Sequence, residues 1–236
     1  VASHGVWMNG VSLPEDTPTI AHHLKSHGYD TALLGKAHFE PWLGDPSQFF
    51  ENRMAAESNT GPHRGFDHME LANHFFEGHS HYDAYMNGHA EEKARFYPME
   101  TGGVQIWPMN VPRGLYHTDW VAERTMTWLK GRQEETPWFC WMSFPDPHHP
   151  WDIPESELHR VNWRDVPLPS LYESSASRRE ALLASKPKHW QGYYDGSLWT
   201  NLESPREFVP ANMTEDQVRE INAYTHIENE LIDDAC

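Results

Sequence analysis

Cysteine is nearly absent: Cys140 and Cys236 are the two in 236 residues. Two cysteines define neither a disulfide framework nor a zinc-ligand spacing, so they say little about compartment. Cys140 lies within the apolar run Trp138-Phe139-Cys140-Trp141 and reads as a small buried hydrophobe. Positive charge is also scarce, with 18 Lys+Arg against 35 Asp+Glu and a formal net charge of −17. Such a surface repels phosphate backbones, which argues against a nucleic-acid partner. No apolar run approaches the ~20 residues of a membrane-crossing helix, so no membrane segment is expected in this chain. The first residue is not Met, and the last falls inside a helical pattern. Both ends therefore read as internal to a longer protein, and the compartment stays open: periplasmic, secreted or cytoplasmic.

What is present is core material and histidine. Hydrophobic residues make up 38% of the chain, with 11 Trp and 17 His. Thr17-Pro18 reads as a helix start, with Ile20, Ala21 and Leu24 as its apolar stripe and Gly28 as its stop. A β-prone run, Tyr29 to Leu34, follows. A second helix–strand unit spans Thr118 to Gln133 and then Pro137 to Phe144. The unbroken apolarity of that second run predicts a strand covered on both faces, as in a parallel sheet. Thr214 and Gln217 form a capping-box pattern that opens a last helix. Its buried stripe is expected to be Val218, Ile221, Tyr224, Thr225, Ile227 and Leu231. Residues 40–117 and 145–213 read as long, loop-rich excursions, a kind that is usually functional. The class is α/β with a mostly parallel sheet and flanking helices.

Open parallel sheets place ligands at the carboxyl ends of their strands. After the first predicted strand comes Gly35-Lys36-Ala37-His38. After the second comes Pro145-Asp146-Pro147-His148-His149-Pro150. Lys36 offers a point charge with three donors. His38 and His148 can donate hydrogen bonds or move a proton near neutral pH. Together these groups suit a tetrahedral oxyanion, a sulfate or phosphate ester. Taken one at a time, a loop Lys or His is more often solvated surface.

Five motifs, in order, resemble the sulfatase family of the alkaline-phosphatase-like superfamily, which includes arylsulfatases, choline sulfatases and phosphonate monoester hydrolases. They are His4-Gly5-Val6 with Asn9-Gly10, the helix–strand segment from Thr17 to His38 ending in Gly-Lys-x-His, Gly65-Phe66-Asp67, Pro147-His148-His149-Pro150, and the last helix with Ile232-Asp233-Asp234. The resemblance implies an alkaline-phosphatase-like α/β fold, with residues 1–236 forming one partial catalytic domain. It also implies metal-dependent hydrolysis of a sulfate ester by a formylglycine nucleophile. The substrate would be a small molecule or a saccharide, and the oligomeric state is left open. The implied cofactor is a divalent ion: calcium first, manganese or magnesium next. By motif match, Lys36 and His38 would bind the ester oxyanion or the nucleophile, and His148 would hydrogen-bond the leaving group. Asn9 and His149 would contact substrate. The Cys/Ser-x-Pro-x-Arg nucleophile motif does not occur in this chain. The paired acidic metal ligands before it and the metal pair expected late in the family are missing as well, so metal ligands are expected mostly outside these residues.

Three other readings stay open. One is a phosphonate or phosphate ester hydrolase of the same superfamily, and another is a non-catalytic anion- or carbohydrate-binding relative. The third is a zinc hydrolase, suggested by His79-Ser80-His81-Tyr82-Asp83 but weakened by Ala84 where a closing His is expected.

Overall fold

In the computed structural model, the described residues are 3–8, 10–41, 49–73, 80–96, 106, 109, 111–198 and 208–236. They divide into two units. The first comprises Val1–Lys93, Arg113–Asp146 and Asp234–Cys236, and the second Ala94–Pro112 and Pro147–Asp233.

The first unit is built on helix α1 (Ile20–Lys25), strand β1 (Asp30–Gly35), α2 (Phe50–Ala56), β2 (His68–Leu71), α3 (His81–Asn87) and the start of α4 (Ala90–Phe96). It continues with α5 (His117–Lys130) and β3 (Trp138–Ser143). The three strands form one parallel sheet in the order β2-β1-β3, with Ala32 opposite both His68 and Cys140. Parallel neighbours need a crossover, and helices supply it. β1 is buried along almost its whole length. Ala21, Leu33, Ala37, Met54, Phe66, Met69 and Leu71 form a core cluster, with Phe39, Phe50 and Phe139 packed on it.

α1 begins two residues later than its Thr-Pro start signal suggests. Thr19 is the cap: its side chain accepts from the His22 amide, and the His22 ring takes the Thr19 amide in return. Of the expected stripe, Ala21 is fully buried, whereas Ile20 is 58% exposed. The reason is the close approach of Gly65, where an added Cβ would lie 2.4 Å from the His22 nitrogen. α5 ends at Lys130, short of Gln133, because Gly131 caps it.

β3 is also a correction. Expected to be covered on both faces, it is half-exposed, with Trp138 and Trp141 at 48% and 44%. Among the described strands it lies at one side of the sheet, so apolarity alone did not predict burial. The 40–117 excursion holds β2, whose four residues were too short to show a period. β2 is tied to α5 by a bidentate pair: Arg124 donates to both Glu70 oxygens at 2.7 and 2.9 Å, and His68 Nε2 lies 2.8 Å away. Burial works to raise the Glu70 pKa, but the hydrogen bonds from His68 and Arg124 outweigh it and bring it to about 2.

The second unit contains α6 (Ala176–Ala184), α7 (Lys188–Asp195) and most of α8 (Glu215–Ala235). The Thr214–Gln217 capping box is present: Thr214 Oγ1 accepts from Gln217 N at 3.2 Å, and Gln217 Oε1 accepts from Thr214 N at 2.9 Å. α8 buries Ala223, Tyr224, Ile227, Glu228 and Leu231, the helical spacing expected, while Val218 and Ile221 are half-buried. Two isolated bridges, Ile106–Trp151 and Met109–Pro154, hold the segment after the histidine turn. No helix among the described residues is long and apolar enough to cross a membrane.

Candidate functional site at the strand ends

The carboxyl end of β1 is shaped by Gly35. It has φ +111°, and an added Cβ would lie 1.7 Å from the Ser143 carbonyl oxygen. Only glycine lets β1 approach β3 this closely. The Lys36 amide then donates to that same carbonyl at 2.8 Å. Beyond it, burial alternates. Ala37 is buried and Phe39 packs on the core, while Lys36 is half-buried and His38 exposed. Ala37 and Phe39 thus anchor the loop to the core, and Lys36 and His38 are its more accessible residues. The predicted pair shares one short loop, and both side chains reach solvent at least in part.

The β3 exit carries a feature that the sequence reading passed over. Asp146 has its carboxylate fully buried. Its Oδ2 accepts from the Tyr116 hydroxyl at 2.8 Å and the Thr118 hydroxyl at 3.0 Å, and its Oδ1 lies 3.5 Å from His117 Nε2. All three partners come from the start of α5, so consecutive residues Tyr116-His117-Thr118 close on one carboxylate. That signal was visible as a His between two hydroxyl residues, but nothing in the sequence paired the group with Asp146, 30 positions beyond Tyr116.

His148 and His149 belong to the second unit. Both are half-buried, their rings stack at 4.3 Å between centroids, and Trp151 lies 6.2 Å from the His149 ring. Asn9 lies outside the described residues. So the structure brings Lys36 and His38 together on one loop and His148 and His149 together on another. Cys140 is half-buried, and burial pushes its thiol up to about 11, which suits an inert side chain.

The zinc reading weakens at His81. Its Nδ1 accepts from the Leu71 amide at 2.9 Å, and its Nε2 lies 2.9 Å from the Asn59 carbonyl. Both ring nitrogens are committed to backbone, and burial lowers the pKa, which fits a neutral structural imidazole. His79 lies outside the described residues. A divalent ion also needs donors. In the first unit, His117 and Asp146 are a buried nitrogen–carboxylate pair of suitable type, but Asp146 Oδ2 is already held by two hydroxyls. Two such groups leave most of a six- to eight-ligand calcium sphere to other residues.

Lys36 and His38 follow β1, and His148 and His149 follow β3, in a parallel α/β sheet. The chain belongs to the sulfatase family, whose model matches residues 1–163. It is 27% identical over 172 residues to an arylsulfatase of Klebsiella aerogenes, covering 72% of this chain and 32% of that protein. It is likewise 27% identical over 179 residues to an arylsulfatase of Clostridium perfringens, covering 71% and 34%. The phosphonate monoester hydrolase of Agrobacterium radiobacter superposes with a TM-score of 0.70 at 20% identity, over 99% of this chain and 45% of that one. The alkaline-phosphatase-like fold expected from the motifs is borne out. The chain spans about a third of the length of the curated relatives it matches.

Proposed function

We propose that this chain supplies the oxyanion-binding part of a metal-dependent hydrolase of sulfate esters. The observation that carries the reading is the Gly-Lys-x-His loop: in a chain of the sulfatase family, Lys36 and His38 lie accessible on one short loop at the carboxyl end of a buried strand. The Lys36 ammonium attracts the charged oxygens of the ester and strengthens that hold as charge builds in the transition state. His38 donates a second hydrogen bond to the same oxygens or to the attacking group. His148 donates a proton or hydrogen bond to the departing oxygen, which lowers the cost of an alkoxide or phenoxide leaving group. His149 and Asn9 contact the remainder of the substrate, a small molecule or a saccharide.

A divalent ion, calcium ahead of manganese or magnesium, adds Lewis-acid charge at the ester oxygens when bound. Most of its ligands, like the formylglycine nucleophile, fall to residues other than these 236.

The test is turnover of the whole protein with an aryl sulfate and with a phosphonate monoester. Lys36→Ala and His148→Ala should each lower turnover by about 100-fold or more while the thermal midpoint stays put. Faster turnover of the phosphonate would move the substrate class within the same superfamily. Wild-type rates in both variants would remove the assigned site.

A further inference from the structure

Behind the Lys36–His38 loop lies a buried polar network that the catalytic reading does not use. Glu40, two residues past His38, is 8% exposed, and Glu51, at the start of α2, is 5% exposed. Each binds the backbone of the other. Glu51 N donates to Glu40 Oε2 at 2.9 Å, and Glu40 N donates to Glu51 Oε2 at 3.3 Å. Buried carboxylates need compensating donors or cations around them. His63 Nε2 lies 3.5 Å from Glu51 Oε1, and Arg64 Nη2 lies 3.7 Å from Glu40 Oε1.

Arg64 does more than face a charge. Its Nη1 donates to the Pro14 carbonyl at 2.7 Å, and its own carbonyl accepts from the Thr19 hydroxyl at 2.8 Å. The Leu13 amide donates to the Phe39 carbonyl at 2.7 Å, directly beside this contact. One guanidinium therefore bridges the segment before α1 and the far end of the loop that bears Lys36 and His38. Arg64 does so from a left-handed backbone at φ +53°, a conformation that costs any residue with a Cβ. Glycine or asparagine would sit there with less strain, so the side chain has to compensate for the backbone.

We propose that Arg64 is a positioning residue for the Lys36–His38 loop. The loop is pinned at one end, where Lys36 N meets Ser143 O. Arg64, through Glu40, pins the other. Without the guanidinium, Glu40 loses its cation, and the residues between the pins lose their fixed placement. This proposal rests on the reading of Lys36 and His38 as the oxyanion-binding pair.

Arg64→Gly is the informative variant, because glycine suits the left-handed backbone and leaves a hole shaped for a guanidinium ion. In the whole protein its kcat should fall about 10-fold or more with KM changed little, since misplaced groups fail mainly in the transition state. Millimolar guanidinium, well below denaturing levels, should restore part of that turnover, and ammonium should not. Arg64→Lys keeps a charge but not the two-pronged bridge, and should also lose kcat while folding. Wild-type kcat in Arg64→Lys and Arg64→Gly, alongside an inactive Lys36→Ala, overturns the positioning role alone. Should Arg64→Gly fail to fold, Arg64→Lys decides by the same kcat and KM comparison. Full activity in Lys36→Ala overturns the oxyanion reading and this proposal with it.

Discussion

The two ends of the parallel sheet carry similar residue types in different surroundings. At the amino end, Asp30, Thr31, Asp67, Trp128 and Arg132 line a cleft of about 390 Å³. Its charges close on one another near solvent. Arg132 Nε lies 3.4 Å from Asp30 Oδ2 with its guanidinium over the Trp128 and Trp138 rings, and Lys25 pairs with Asp67. The Asp30 and Asp67 side chains are 42% and 43% exposed. At the carboxyl end, the carboxylates of Glu40, Glu70 and Asp146 are no more than about a tenth exposed. Exposed pairs are screened and worth little, whereas breaking a buried one strands a charge. A cleft's size therefore does not identify the working end of this sheet. The end proposed to work is the one where buried networks hold backbone in place.

The largest expected effect contrasts one glycine from each end. Gly35→Ala at the carboxyl end drives a Cβ into the Ser143 carbonyl from a backbone at φ +111°. It should cost at least about 3 kcal/mol and show as a collapse of the denaturant midpoint. Gly131→Ala at the amino end meets nothing closer than 3.5 Å and has an ordinary φ of −81°. It should move stability by no more than about 0.5 kcal/mol, in either direction. Equal losses would erase the distinction between the two ends.

The sequence made the proposed site legible and its supports obscure. Gly-Lys-x-His and Pro-His-x-Pro are contiguous, so four of the five nominated site residues follow from reading past two strands. The supports join residues far apart: Glu40 to Arg64, and Tyr116 to Asp146. No local period encodes such pairings. Gly65-Phe66-Asp67 was legible only as a family-like motif, and its packing role comes from distant partners. Gly65 admits α1, Phe66 is 1% exposed beside Phe139, and the Asp67 amide donates to the Thr31 carbonyl at 2.9 Å. That motif serves the amino end of the fold.

Two carboxylates around β2 sharpen the comparison, because both titrate below their ordinary range and differ in exposure. Glu70 is the buried one. Its pKa falls from 4.5 to about 2, so its stabilisation is complete above pH 4.5 and is lost as pH falls towards 2. Glu70→Gln should cost about 2–3 kcal/mol at neutral pH. Urea titrations of wild type and variant should converge as the pH drops from neutrality through this window. A gap that stays constant with pH would assign the loss to packing.

Asp67, just before β2, is the exposed counterpart, and Lys25→Ala probes it with the smallest expected effect. Burial acts to raise the Asp67 pKa, but Lys25 and the Thr31 hydroxyl outweigh it and hold it below 3.8. The sign is therefore the same as for Glu70: stabilisation present above pH 3.8 and lost below it. The size differs, because both side chains are 43% exposed and solvent and salt screen the pair. Lys25→Ala should cost no more than about 0.5 kcal/mol. That cost should vanish in high salt, while the Glu70→Gln loss persists. The Thr31 hydroxyl, 3.0 Å from Asp67 Oδ2, remains after Lys25 is removed and keeps the carboxylate in place. A salt-resistant loss in Lys25→Ala comparable to that of Glu70→Gln would mean that the amino end is as tightly organised as the carboxyl end. The contrast in exposure would then no longer separate scaffold from site.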